Sequence, residues 1–215
     1  MAEKVKHPVH ENLKENIKFL REELGIGKSF DVIQLDVEYA GREMALFLVD
    51  GFVKDDILLY IMQLLAKLEP GALDVETLKK LVKTYIPYVE VETTDDLDKV
   101  ADMVLAGPTA LAVDGVAEII LIDARTYPVR GPQEPDTERV VRGSRDGFVE
   151  TLVFNTALTR RRIRDRTLRM EYQQVGRRSQ TDIVVCYIED IADPEMVKKV
   201  KDSISKIDTD GLPMG

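Results

Sequence analysis

The chain has 215 residues, 44% of them hydrophobic and 32% charged, and a formal net charge of −9. That length suits one domain or two small ones with an ordinary core, and the acidic balance excludes general affinity for nucleic acid or anionic membrane surfaces. A single cysteine, Cys186, excludes an internal disulfide, and the longest apolar stretch, Ile57–Leu65, is broken by Gln63 and too short to span a bilayer.

In chain order, Val9–Leu24 predicts an amphipathic helix with Leu13, Ile17, Leu20 and Leu24 on one stripe, ended by Gly25 and Gly27. The helix is expected to lie on the domain or on a partner. Phe30–Ala40 and Arg42–Phe52 predict two strands turning at Ala40-Gly41. Asp55 and Asp56 place negative charge at the start of a helix that buries Ile57, Leu58, Ile61, Leu65 and Leu68. A second helix follows Asp74, with Leu78, Leu81, Val82 and Tyr85 inward. Tyr88–Glu92 reads as a short strand, and Thr93 or Thr94 as the cap of a helix over Asp95–Leu105. Thr109–Val113 and Val116–Asp123 predict a hairpin, because Asp114-Gly115 tolerates the positive φ of a two-residue turn.

Pro128, Pro132 and Pro135 mark residues 126–144 as a linker. Beyond it, Ser144 is expected to cap a helix over Arg145–Ile163, with Phe148 and Leu152 inward. Leu168–Val175 and Asp182–Ile188 predict strands, the second apolar enough to be central and to bury Cys186. Asp193-Pro194 opens a last helix with Met196, Val197, Val200, Ile204 and Ile207 on one face.

Leu46–Glu69 can be laid on Val185–Asp208 without a gap, with apolar residues at 49, 52, 57, 58, 61, 65 and 68 meeting apolar residues at 188, 191, 196, 197, 200, 204 and 207. Two accounts fit: a generic strand–loop–helix likeness, or two subdomains of similar make. The fold class is α/β, read as two small mixed α/β subdomains with helices packed on mixed sheets. The expected divisions are an N-terminal helix (1–27), a first subdomain (28–125), the linker (126–144) and a second subdomain (145–215).

No chemistry of an enzyme converges. His7 and His10 are the only histidines, so neither a metal site nor a Cys–His pair is expected, and no cofactor. Gly25-Ile26-Gly27-Lys28-Ser29 lacks the glycine of a phosphate loop at position 22 and runs from helix into strand. Asp55-Asp56 and Asp95-Asp96 are explained by helix starts.

The distinctive stretch is Glu134–Arg178, where every basic residue is arginine: eleven arginines against seven acids, a surplus of four positive charges that leaves −13 on the remainder. The guanidinium is a planar fork that binds carboxylates two-handed, so arginine throughout implies fixed pairing. Arg139, Arg142 and Arg145 have Glu134, Asp136, Glu138, Asp146 and Glu150 within reach along the chain, and Arg160, Arg161 and Arg162 close a helix C-terminus. With Arg169 and Arg178 these are the candidate binding or subdomain-coupling residues. The run lacks the interleaved aromatics of a nucleic-acid binder.

The same stretch carries a resemblance. Glu134–Thr151, Asn155–Arg162, Leu168-Arg169, Val175–Ser179 and Tyr187–Ala192 resemble the soluble N-terminal domain of the GerA family of spore germination proteins, A-subunit type. The resemblance implies two α/β subdomains on the core-facing side of the spore inner membrane, with membrane-spanning helices following this chain. It implies a part in ion release during germination, as scaffold, coupling module or small-molecule sensor. The partners it implies are other germination membrane proteins or copies of the chain itself. A ligand between the subdomains would have arginines such as Arg139 or Arg178 to hold its carboxylate.

Overall fold

Met44–Val49 is apolar without interruption because the strand that carries it is covered on both faces, and every one of these residues is buried. The computed structural model describes residues 6–68, 90–125 and 147–212. In it this strand, β2 (Arg42–Val49), lies between β1 (Val32–Tyr39) and β4 (Thr109–Val113) in a five-stranded sheet. Adding β3 (Glu90–Thr94) and β5 (Ile119–Asp123), the order is β1-β2-β4-β5-β3, antiparallel at every step. Side chains alternate across the sheet. Ala45, Phe47, Val49, Ala110 and Leu121 meet helices α1 (Leu13–Leu24) and α3 (Leu97–Ala106), while Met44, Leu46, Leu111, Ile120 and Ile122 meet α2 (Asp55–Leu65). The sequence-predicted helix after Asp74 and the proline linker lie outside the described residues.

The rest of the described chain is helix α4 (Leu152–Arg162), an antiparallel pair β6 (Leu168–Val175) and β7 (Thr181–Ile188), and helix α5 (Pro194–Ser205). The class is mixed α/β. The likeness read from residue 46 onward starts earlier: α1 and α4, β2 and β7, and α2 and α5 begin 139 residues apart in each case. β1 and β6, both eight residues long, are 136 apart, so the stretch from helix start to strand is three residues shorter in the second half and the hairpin turn three residues longer. Each half is therefore an α-β-β-α unit.

A shared device confirms the register. Asn16 donates to the carbonyl of His10 (2.7 Å) and accepts its N–H (2.8 Å). Asn155, 139 residues on, makes the same two bonds with Val149 (2.7 Å each). An amide that can donate and accept at once satisfies both backbone groups of the residue six places back, fixing the path of the chain into the helix.

That device also explains why α4 starts at Leu152 and not near Arg145: Val149 is held by Asn155 before the helix begins, and Phe148 is left 74% exposed rather than inward. The Asp114-Gly115 turn differs too. The last β4–β5 pair is Leu111 with Ile120, so the connection is longer than two residues. Asp114 instead accepts the N–H of Leu13 (3.1 Å), and the Gly115 N–H donates to the Glu11 carbonyl (2.8 Å), with Gly115 at φ 78°. The dipeptide serves the start of α1. Asp96, accepting from the Asp98 N–H, caps α3 in place of Thr93 or Thr94.

One further expectation is corrected in the second unit: Cys186 is exposed rather than buried. The last helix forms as expected from Pro194, without a fully buried residue, and ends at Ser205, ahead of Ile207.

Asp114→Ala removes an acceptor from the first turn of α1 and is expected to cost about 1 kcal/mol of stability; denaturant unfolding at neutral pH measures it.

Candidate functional site

The junction between the two units is built on arginine. On α4, Thr156, Ala157 and Arg160 share one face and are buried, and Gly51 lets that face approach the end of β2: a Cβ there would meet Val153 and Ala157 at 3.0 and 3.1 Å. Arg160 is 1% exposed, and the carboxylate it meets, Asp31, is 1% exposed in its side chain. The pairing is two-handed, Nε to Oδ2 at 2.8 Å and Nη2 to Oδ1 at 3.1 Å. The other guanidinium protons go to Ser29 Oγ and to the carbonyls of Asp165 and Leu168. Ser29 in turn donates to Asp31 (2.6 Å) and accepts the N–H of Met170 (3.0 Å). Backbone bonds from Phe30 to Met170 and from Asp50 to Asp31 complete a knot that ties β1, β2, α4 and β6 together.

Two more arginines flank it. Arg166 donates to Glu23 on α1 (2.7 Å) and to Asp98 (2.9 Å) and Asp102 (2.9 Å) on α3. Arg169 pairs with Glu189, which also holds Lys28, and its guanidinium lies against Gly25 where a Cβ would come within 2.5 Å of Nη1. Gly25 ends α1 at φ 65°, so this glycine is required both by the turn and by the arginine laid over it.

The electrostatics follow the contacts. Burial disfavours the Asp98 carboxylate, but hydrogen bonds from His7 and Arg166 outweigh it and hold its pKa below 3.8. Lys28, against some burial and with help from Arg169, holds Glu189 below 4.5. Asp50 runs the other way, raised chiefly by burial.

Of the sequence-predicted residues, Arg160 and Arg169 are in this junction. Arg161 and Arg162 are exposed on the last turn of α4, Glu150 is exposed ahead of it, and Arg178 is exposed with its backbone N–H bonded to Asp210. Arg139, Arg142, Arg145 and Asp146, with their expected partners Glu134, Asp136 and Glu138, lie outside the described residues. Sequence reasoning missed Arg166, Ser29 and Asp31. Arg166 was visible as one more arginine of the run; the acids it meets are 64 to 143 positions away, and nothing local marks them. An open cleft of about 500 Å³ lies beside the junction, lined by Lys28, Phe30, Ile33, Glu171 and Tyr172 among others. Among the described residues no group of three or more His, Cys, Asp or Glu side chains could hold a metal ion, and no helix is long and apolar enough to cross a membrane.

The family model described as Bacillus/Clostridium GerA spore germination protein matches residues 18–215. Stage V sporulation protein AF of Bacillus subtilis (strain 168) is 42% identical over 206 residues, 96% of this chain and 42% of that protein. Spore germination protein GerLA of Bacillus cereus is 30% identical over 200 residues, 93% of this chain and 40% of that protein. The chain spans about two fifths of the length of these curated relatives. In fold it is similar to the crystal structure of the N-terminal domain of the A subunit of the Bacillus megaterium spore germinant receptor GerK3, with a TM-score of 0.73 at 22% identity, covering 95% of this chain and 75% of that one.

Arg160→Ala leaves the Asp31 carboxylate buried without its cation and is expected to cost about 3–5 kcal/mol; Arg160→Met combined with Asp31→Leu, which removes both charges, is expected to cost less than Arg160→Ala alone, and denaturant unfolding of the two chains compares them. Asp98 and Glu189 have folded pKa values below 3.8 and 4.5, so their contribution is complete above those values and is lost as pH falls through the lower folded ones. Asp50, raised, offsets part of this in the same range. Thermal unfolding is therefore expected to be flat with respect to these groups from pH 5.5 to 7, as about one unit above the ordinary carboxylate values suffices, and to weaken below; Asp98→Asn should flatten the acid limb.

Proposed function

Because this chain belongs to the GerA family of spore germination proteins, we propose that it is the core-facing coupling and assembly domain of a spore inner-membrane protein, acting in ion release during germination. The observation that carries the reading is the junction itself. Arg160, Arg166 and Arg169, within ten residues of one another, reach Asp31 ahead of β1, Glu23 on α1, Asp98 and Asp102 on α3, and Glu189 after β7. Residues spent on chemistry converge on an open space; these converge on each other's backbones and on carboxylates, and they make two units move as one.

The alternative, a small-molecule sensor with its ligand between the units, would use the cleft beside β1 and β6. The charged side chains lining it are already engaged, Lys28 with Glu189 and Glu171 with Tyr187 and Lys201. The coupling reading is the stronger for that reason.

The test is made in spores carrying the full-length protein with Arg166→Gln and Arg169→Gln, which leave the buried Arg160–Asp31 pair intact. At matched protein level, ion release after a germination stimulus is expected to slow by about fivefold or more, the lower end of a coupling free energy between parts of one protein. Wild-type release kinetics would reject the coupling role. Stabilisation of the 215-residue chain by an amino acid, a sugar or dipicolinate in a thermal-shift series would move the assignment to the sensor.

A further inference from the structure

The two hairpins differ in a way that the plan of an α-β-β-α unit does not require. β1 and β2 turn over two residues, Ala40 and Gly41, both at positive φ, whereas β6 and β7 turn over five, residues 176–180. Gly176 opens the longer turn at φ 96°, and the Gln180 N–H donates back to the Gly176 carbonyl (3.2 Å). A bond of that span encloses a single helix-like turn, whose first N–H groups point along its axis and find no partner inside it.

Those N–H groups go to another part of the chain. Arg177 donates to the Thr209 carbonyl (2.9 Å), and Arg178 and Ser179 both donate to the Asp210 carbonyl (3.0 and 3.1 Å). Residues 208–211 therefore cross the turn as a strap. Gly176 and Gly211 let the two backbones pass closely, since a Cβ on Gly176 would lie 3.5 Å from Gly211 Cα. Arg177 adds pairs with Asp208 and Asp210 at 3.3 Å each, but all three side chains are largely exposed. Solvent screens such pairs, so the backbone bonds carry the contact. They are few and lie at the surface, so the strap opens at a lower free energy than the sheets do.

The other end of the same hairpin belongs to the arginine junction. Arg169 pairs with Glu189, the Glu189 N–H donates to the Thr167 carbonyl (2.9 Å), and the Met170 carbonyl accepts from Phe30 of the first unit (3.0 Å). Between the two ends β6 and β7 pair without a break from Leu168 with Ile188 to Val175 with Thr181, roughly 25 Å of ladder.

We propose that residues 208–211 and the β6–β7 turn form a latch whose state the hairpin transmits to the junction. A displacement of the docked strap is delivered by backbone bonds to the turn, and along β6 to Met170 and Arg169. With the strap undocked, the same displacement reaches β6 through side chains of α5 such as Lys201, which meets Glu171, and flexible side chains absorb movement that backbone bonds pass on. The consequence in the spore rests on the coupling reading above; the link between latch and junction is a property of the chain itself.

Amide hydrogen exchange of the 215-residue chain, read residue by residue by NMR, tests that link from both ends. Arg177→Pro removes the first strap bond at a position where a turn begins and proline is tolerated, and it leaves the ladder, which ends at Val175 and Thr181, intact. It is expected to speed exchange of the Arg178 and Ser179 amides about fivefold or more, the loss of one net hydrogen bond. The Phe30 amide at the junction is expected to speed up as well, with the amides of β4 unchanged. Arg177→Ala, which removes only the exposed pairs, is expected to change these rates by about twofold at most. Arg169→Gln, at the far end, is expected to speed the Arg178 and Ser179 amides in turn, because coupling between two sites is reciprocal. If circular dichroism shows that Arg177→Pro unfolds the hairpin, Arg169→Gln decides alone. Exchange that rises only at the mutated end, or rises by the same factor in β4, overturns the transmission; strap amides that exchange freely in the unaltered chain overturn the latch. The spore test with Arg166→Gln and Arg169→Gln asks instead whether the junction serves ion release, so either result can fail without the other.

Discussion

The buried fork between Arg160 and Asp31 is the constraint on which the arrangement of the two units rests. Taking both charges out of water costs several kcal/mol per ion, and the mutual attraction repays it only when every remaining donor and lone pair is also satisfied. Here the accounting is nearly complete. Asp31 receives two guanidinium bonds and the Ser29 hydroxyl, while Arg160 spends its other protons on Ser29 and on two carbonyls at the start of β6. A lysine could make the charge contact but not the planar set of five donors that joins three chain segments at once. That is a physical reason for arginine at this position.

The two α-β-β-α units are alike in plan. In the first, β4 pairs with the far edge of β2, α1 and α3 cover one face of that strand, and α2 covers the other. The second is tied to it through α4, whose Ala157 belongs to the first unit's core cluster. The polar junction gives this contact one orientation, since apolar packing alone tolerates small rotations that a two-handed ion pair does not.

Much of the local structure was legible in the residues, and the junction was not. Arg42–Phe52 read as a strand, Asp193-Pro194 as a helix start, and the offset of 139 residues was visible from Leu46 onward. The same offset at Asn16 and Asn155 was hidden, because one asparagine per helix is not a pattern until its bonds are seen. The Asp114-Gly115 turn misled for a related reason: the local chemistry suits a tight hairpin, but the N-terminus of α1, a hundred residues away, takes the carboxylate. The arginine run announced fixed pairing without naming partners, since Asp31 looks in sequence like any acid ahead of a strand. The reading of β7 as a strand was right, and the burial expected of its Cys186 was not, since that residue is exposed.

Three contacts that do not lie on one line leave a body no axis to turn about. Arg160 holds the end of α4 to the start of β1, Arg166 holds the following loop to α1 and α3, and Arg169 lies over the end of α1 while gripping the residue after β7. Rotating the second unit about any one of these anchors separates the other two. At the buried anchor the separation would strand a charge, at about 3–5 kcal/mol, several times the thermal energy. The partly exposed anchors add less, because solvent screens them. Motion of the second unit by itself is therefore costlier than motion of both together, and a load applied at β7 or α5 is carried into the five-stranded sheet rather than absorbed at the junction.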